Sequence, residues 1–170
     1  MESNKEKQFL KIYDELADKV FRHCYFRLSD REKAKDAVQK VFCRFWEYLE
    51  KHDDQISNAK ALVFRIANNL IIDHYRNKKD ESLDALQADG FDVANDDYEA
   101  IMTMLSGREL TALLDCLKKS YRDVIVMRYI DDLPVQEIAG IISERENTVS
   151  VRIHRGLKEL KKIIENEKHD

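Results

Sequence analysis

The fold of the C-terminal part of this chain is decided by residues 135–162, VQEIAGIISERENTVSVRIHRGLKELKK. Within residues 146–164, apolar side chains recur at the three- and four-residue spacing of one helix face. They are Val149, Ile153, Gly156, Leu157, Leu160 and Ile164. Polar and cationic side chains occupy most of the remaining surface. The pattern predicts a short helix over 135–142, a tight connection over 143–147 and a long helix with one buried face. In the short helix, the side chains expected to face inward are Val135, Ile138, Ala139 and Ile142.

A short helix joined by a tight turn to a longer cationic helix is a helix-turn-helix, whose second helix enters the DNA major groove. Arg152 can pair with a guanine edge, and Val151, away from the apolar face, can meet a thymine methyl group. Hydroxyl groups and nearby cations can reach bases and phosphates. We therefore expect DNA contacts from Thr148, Ser150, Val151, Arg152, Arg155 and Lys158. The alternative is an ordinary solvated helix whose basic residues favour the helix dipole.

The composition of the whole chain predicts an all-α protein. Of the 170 residues 44% are hydrophobic and 36% charged, with one proline and four glycines. Few helix breakers and many Leu, Lys, Glu and Ala residues favour helices throughout. No segment approaches the run of about 18 apolar residues that a membrane span needs, and no signal peptide is recognisable. We therefore expect a soluble, cytoplasmic protein with no membrane insertion.

Helical periodicity divides the chain into two blocks. Residues 1–79 contain three or four amphipathic helices, with Asp30 or Ser29 and Asn58 or Ser57 as candidate N-caps. Residues 80–100 are acidic, contain one glycine and are predicted to form a flexible linker. Residues 101–170 are helical again, with Pro134 at the first position of a helix. The predicted architecture is two small helical domains joined by a flexible acidic linker.

No residue pattern for catalysis or metal binding is visible. The chain has no P-loop, GxSxG or HExxH motif, and its acidic clusters lack paired histidines. The three cysteines, Cys24, Cys43 and Cys116, are widely spaced among apolar residues and are expected to be buried free thiols. We expect no enzymatic activity, no catalytic residue, no metal, no cofactor and no small-molecule substrate.

Three stretches resemble bacterial sigma factors of the sigma-70 family. Region 4 of that family is similar to residues 121–162, with the sequence EIA, then TV, R-x-x-R and L-x-x-L. Its polymerase-docking helix resembles residues 36–51, DAVQKVFCRFWEYLEK, and its downstream-element helix resembles residues 61–79, ALVFRIANNLIIDHYRNKK. With no further domain, the match is to the small extracytoplasmic-function (ECF) group.

This sequence departs from the family pattern at four positions. Leu62 stands where the family often has Trp, and Lys40 where an acidic residue is common. In the turn, Ser143 takes the place of the usual Gly, and Glu144 replaces an apolar residue. The last two put the geometry of the turn in question, and with it the choice of base-contacting residues.

The resemblance implies a promoter-specificity subunit of bacterial RNA polymerase that binds the −10 and −35 elements and assists strand opening. Domain 1–79 would dock on polymerase and melt the downstream element, and domain 101–170 would bind the upstream element. The implied partners are core RNA polymerase, promoter DNA and an anti-sigma factor. The resemblance implies that polymerase is bound by Asp36, Gln39 and Lys40. It also implies that the downstream promoter element is recognised and melted by a second set of residues. They are His52, Asp53, Gln55, Asn58, Arg65, Asn68, Asn69, Arg76, Lys78 and Lys79.

Two other functions remain possible from the sequence. A stand-alone helix-turn-helix regulator would bind duplex DNA without polymerase, but it would need a sensor domain or dimerisation helix that the N-terminal block does not resemble. An acidic-site metal hydrolase would depend on a divalent metal.

Overall fold

The computed structural model describes residues 3–77 and 107–168. Within these ranges the chain forms helices and connections, with no strand, as the sequence predicts. Backbone contacts divide the chain into two compact units, Met1–Ser82 and Leu83–Asp170. The predicted linker, residues 80–100, lies outside the described residues.

The first unit contains three helices: α1 (Asn4–Leu28), α2 (Arg31–Lys51) and α3 (Ala59–Asn77). Each packs on the other two. The core is aliphatic and aromatic and includes Val20, Phe42, Phe45, Phe64 and Ile71. All five lie at most 3% exposed, which explains why the apolar stripes of the sequence predict these helices correctly.

Short polar side chains fix where these helices begin. Ser3 and Glu6 form a capping box, in which the Ser3 hydroxyl accepts the Glu6 N–H and the Glu6 carboxylate accepts the Ser3 N–H. The Asp30 carboxylate accepts the Lys33 N–H at 3.0 Å, and the Asn58 side-chain oxygen accepts the Ala61 N–H at 3.0 Å. The predicted caps Asp30 and Asn58 are thus confirmed.

The second unit contains α4 (Gly107–Asp115), α5 (Lys119–Ile125), α6 (Val135–Ile142) and α7 (Glu146–Lys168). Helix α5 continues into a π-helical turn, Val126–Ile130. Helices α4, α5 and α6 all contact α7, which is the centre of this unit. Helix α6 begins at Val135, as the pattern over 135–142 predicts, and Pro134 is its extended N-cap residue, one position before the first helical residue where it was expected.

Two serines stand in the left-handed conformation that glycine adopts at least cost. Ser29 ends α1 with φ of 54°, and Ser143 ends α6 with φ of 57°. The Ser143 N–H donates to the Ala139 carbonyl, and the Glu144 N–H donates to the same oxygen at 3.0 Å. The turn therefore keeps a left-handed helix end without the usual glycine, at a cost in backbone strain.

The glycine within α7 is required by close packing. A Cβ placed on Gly156 would lie 2.5 Å from Ile125 Cδ1 and 3.0 Å from Tyr121 Cβ. Because real side-chain carbons do not approach so closely, the absence of a side chain lets α5 and α7 come together.

Two expectations about burial are wrong. Only Cys24 is a buried thiol; Cys43 is exposed because it lies beside the buried stripe of α2, and Cys116 is exposed in the turn that follows α4. In α6, Ile141 is buried with Ile138 and Ala139, whereas the sequence pattern indicated Ile142. Helix α6 contacts both α7 and the π-helical turn, so its neighbours, as well as its own periodicity, decide which of its residues are buried.

Candidate nucleic-acid and polymerase interfaces

Helix α7 presents a cationic surface opposite its buried face. Val149, Ile153, Leu157 and Leu160 are at most 6% exposed and anchor the helix in the second unit. Lys158, one of the predicted phosphate contacts, is exposed, and Thr148, Ser150 and Arg155 are half-buried. The first turns of α7 follow an exposed connection, residues 143–145, so the N-terminal end of the helix is open to solvent. This is the part of a helix-turn-helix that enters a groove.

Val151 is not available for the thymine contact that the sequence analysis predicted, because it is only 2% exposed. Its position lies away from the main apolar stripe of α7. However, α7 is contacted by three other helices of its unit, so burial is not confined to one face. Burial removes the apolar surface of the Val151 side chain from water, which stabilises the folded unit.

Arg152 is accessible only in part and has a protein partner. Its side chain is 16% exposed, and its Nη2 lies 3.3 Å from Oε1 of Glu144 in the preceding turn. The guanidinium is therefore held at the N-terminal end of α7. Glu144 departs from the family pattern, but the sequence alone does not indicate that it pairs with Arg152.

The loop between α2 and α3 forms one side of a cleft in the first unit. The cleft has a volume of about 800 Å³, and His52, Asp53 and Gln55 line it together with cations of α1, including Lys5 and Lys11. His52 stacks on Tyr48 with the ring centroids 4.0 Å apart. The predicted loop residues His52, Asp53, Gln55 and Asn58 are all exposed.

Lys5 is a residue of this cleft that the sequence analysis missed. Its Nζ lies 2.8 Å from Oδ1 of Asp53 and donates to the Glu50 carbonyl at 3.2 Å. The hydrogen bond and positive charge of Lys5 lower the pKa of the Asp53 carboxyl. No local pattern could have indicated this pair, because the two residues lie on different elements of the fold.

On α3 the structure separates two adjacent asparagines that the sequence treats alike. Asn69 is exposed, as are Arg65 and Arg76. Asn68 is 1% exposed, and its Oδ1 accepts a hydrogen bond of 2.8 Å from Nη1 of the buried Arg27. The prediction that Asn68 contacts DNA is therefore wrong, because the side chain lies inside the bundle and bonds to α1. Lys78 and Lys79 lie outside the described residues.

The three predicted polymerase contacts share one exposed side of α2. Asp36, Gln39 and Lys40 are all exposed, while Ala34, Val41 and Phe42 of the same helix are buried. Asp36 and Lys40 also border a small pocket of about 140 Å³, together with Leu70 and His74 of α3. The arrangement combines charged groups with an apolar edge, as protein interfaces do.

Within the described parts of both units, no three His, Cys, Asp or Glu side chains are grouped as a metal site would require. None of the helices in residues 3–77 and 107–168 has the length and apolarity to cross a bilayer.

Two protein-family models match this chain, one within each of the two compact units. The family model for Sigma-70 region 2 matches residues 12–81, and that for Sigma-70 region 4 matches residues 107–160. The ECF RNA polymerase sigma factor SigW of Bacillus subtilis is 33% identical over 170 residues, which covers 92% of this chain and 88% of that protein. SigX of the same organism is 26% identical over 166 residues, covering 94% and 85% of the two chains.

Among solved structures, the sigma factor RpoE of Bartonella quintana, in complex with the anti-sigma factor NepR, has a similar fold. The TM-score is 0.69 at 19% identity, over 92% of this chain and 98% of that chain. CnrH in complex with the cytosolic domain of CnrY also gives a TM-score of 0.69, at 21% identity, over 95% and 90%. Because the sequence identities are only 21% and 19%, these structural similarities show a shared fold and no more.

Proposed function

The chain belongs to the family of ECF RNA polymerase sigma factors, promoter-specificity subunits that direct transcription initiation, and on this premise we propose which of its surfaces contact polymerase and DNA. The first unit, predicted as domain 1–79, docks on core polymerase and melts the downstream element. The second, predicted as domain 101–170, binds the upstream element. The observation that carries this division is that each compact unit has its own core and its own exposed polar surface.

In the second unit, α7 binds duplex DNA with its N-terminal end in the major groove. Arg152 contacts a base, Thr148 and Ser150 supply hydroxyl groups, and Arg155 and Lys158 bind phosphates. The support for this assignment is the open N-terminal end of α7 together with the buried anchor on its other side. A few phosphate contacts bind DNA weakly at physiological salt, so this unit needs the help of the first.

In the first unit, the loop at residues 52–58 receives an unpaired base of the downstream element. The cleft of about 800 Å³ beside this loop is large enough for a nucleobase, and its walls carry both carboxylate and ammonium groups. Arg65, Asn69 and Arg76 contact the adjacent backbone and bases from α3. In this proposal, the free energy for strand opening comes from tighter binding of the protein to open than to duplex promoter DNA. The protein catalyses no bond cleavage.

Asp36, Gln39 and Lys40 bind core polymerase from the exposed side of α2. Because the partner is polymerase, the protein acts in the cytoplasm. An anti-sigma factor is a further partner: RpoE of B. quintana is in complex with one, and it has the same fold as this chain.

In vitro transcription with purified core polymerase tests the proposed function. We expect the wild-type chain to direct initiation at defined start sites, and D36A/Q39A to reduce binding to core polymerase without loss of helix content. The matched control is E32A/K35A on the same helix, in which an exposed i,i+3 ion pair is removed with little effect on folding. Undiminished binding of D36A/Q39A to core polymerase would refute the docking surface.

A gel shift separates this function from that of a stand-alone regulator. The ECF sigma factor shifts promoter DNA mainly when core polymerase is present, since one recognition helix binds weakly. A regulator would shift the same duplex alone and to the same extent.

A further inference from the structure

The ion pair between Glu144 and Arg152 joins the turn of the helix-turn-helix to its recognition helix. Arg152 Nη2 and Glu144 Oε1 are 3.3 Å apart, and the two side chains are 16% and 40% exposed. In addition, Nε of Arg152 is buried. This Nε has no hydrogen-bond partner among the described residues, so Glu144 is the group that holds the guanidinium, while the Nε side is only shielded from solvent.

The backbone explains why these two residues meet although they are eight positions apart. Side chains on a helix tilt toward its N-terminus, so Arg152 extends back along α7 toward the turn. Ser143 is left-handed and ends α6, and the Glu144 N–H is fixed by the Ala139 carbonyl. Glu144 is therefore placed, by the residue that replaces the usual glycine, beside the end of α7 that enters the groove.

Orientation matters more for arginine than for lysine, because a guanidinium reads guanine through two parallel hydrogen bonds from a planar group. A carboxylate on one nitrogen fixes the plane before DNA arrives and reduces the rotamer entropy lost on binding. It leaves other N–H groups of the guanidinium to donate to a base.

We propose that Glu144 is a positioning residue, which orients Arg152 for one base pair of the upstream element without itself touching DNA. This inference rests on the proposed function of α7. It means that the specificity of this sigma factor depends on a residue of the turn, at a position where the family usually has an apolar residue.

The experiment is transcription by holoenzyme on a set of promoters in which each base pair of the upstream element is varied in turn. We expect R152A to remove the preference at one or two base pairs. E144A should reduce the preference at the same base pairs by about tenfold, a part of what one bidentate contact discriminates. E144Q, which keeps an acceptor oxygen but loses the charge, should have an intermediate effect.

Two comparisons make the result specific to positioning. In the R152A background, E144A should have no further effect on the base preferences. E146Q is the control for charge: Glu146 is an exposed acid in the first turn of α7, so its loss should raise binding to all promoters without changing their order. Far-UV circular dichroism of each variant checks that α7 remains folded.

Four results would overturn the proposal. E144A could change transcription from all promoters equally, or its effect on base preference could be additive with that of R152A. Either outcome would mean that Glu144 acts only through its negative charge and does not position Arg152. E144A could instead sharpen the preference at the Arg152 base pair, in which case the ion pair restrains Arg152 from DNA. If R152A alters no base preference while the wild-type chain still directs initiation, the role of Arg152, and with it that of Glu144, is wrong but the proposed function stands.

Discussion

Arg27 is a charged residue at the centre of the first unit, and its surroundings explain how the bundle accommodates it. The side chain is 1% exposed, and its Nη1 donates to Asn68 at 2.8 Å and lies 3.1 Å from Nε2 of His23. Its backbone carbonyl accepts the hydroxyl of Tyr75. Buried polar groups must be satisfied in this way, so α1 and α3 are aligned by hydrogen bonds as well as by apolar packing.

Removal of the Asn68 side chain should therefore destabilise the first unit. We expect N68A to lower its free energy of unfolding by about 1–3 kcal/mol, because a buried guanidinium loses an acceptor. Trp46, the single tryptophan, lies in this unit and allows urea unfolding of the unit to be followed by fluorescence. N69A is the control, since an exposed asparagine should change stability by less than about 0.5 kcal/mol. Equal destabilisation by the two variants would contradict the assignment.

Asp53 gives a prediction about pH. Lys5 lowers the pKa of the Asp53 carboxyl, first through its hydrogen bond and then through its charge. A carboxyl with a lowered pKa in the folded state adds stability above its ordinary pKa of about 4, and this contribution is lost as the pH falls through the lowered value. We expect K5M to return the pKa of Asp53 to its ordinary range, as measured by NMR of the carboxyl carbon.

The control for K5M is K7M, which removes another cation of the same cleft. It should leave the pKa of Asp53 nearer to its lowered value. If K5M and K7M raise it equally, the cause is the general positive charge of α1, and the contact at 2.8 Å has no special role.

The helices themselves were the most predictable part of this molecule. Apolar stripes with a period of 3.6 residues, together with Asp30, Asn58 and Pro134 at helix ends, are local signals, and local signals can be read from a sequence. Asn68, Val151 and the Glu144–Arg152 pair could not be predicted, because each depends on which other element lies against it. The candidate DNA-binding surface was thus predictable as a helix face, whereas the accessibility of individual residues on it was not.

The contact between α5 and α7 depends on Gly156, and this supplies a test of the packing. We expect G156A to destabilise the second unit, since overpacking costs about 1–3 kcal/mol. Alanine gains about 1 kcal/mol in helix propensity over glycine, which offsets part of that cost. The measurement is thermal or urea unfolding followed by circular dichroism.

A second substitution shows whether the clash is the cause. I125V removes Cδ1, the atom that would lie 2.5 Å from the new Cβ. G156A/I125V should therefore lose less stability than the sum of the two single variants. Greater stability of G156A than of wild type would show that α5 and α7 have room for a methyl group.

The two units combine weak contacts into a specific one. In the proposed function, one recognition helix and one melting loop each bind promoter DNA poorly, and polymerase holds both. If residues 80–100 act as the tether that the sequence predicts, the second contact becomes intramolecular, which raises its effective concentration. The acidic charge of residues 80–117, ten acidic residues against one basic, also disfavours binding of the chain to DNA outside the holoenzyme.

A change of linker length tests whether residues 80–100 act as a flexible tether. If they do, doubling their length with Gly and Ser residues should lower the affinity of holoenzyme for a promoter only about threefold, because effective concentration falls as roughly the −3/2 power of length. Supplying the two units as separate chains should lower it by about 10²–10⁴-fold. Promoter binding by holoenzyme, measured at one fixed salt concentration, distinguishes these cases. A loss on doubling as large as the loss on separation would mean that this segment sets a defined geometry between the units, and is more than a tether.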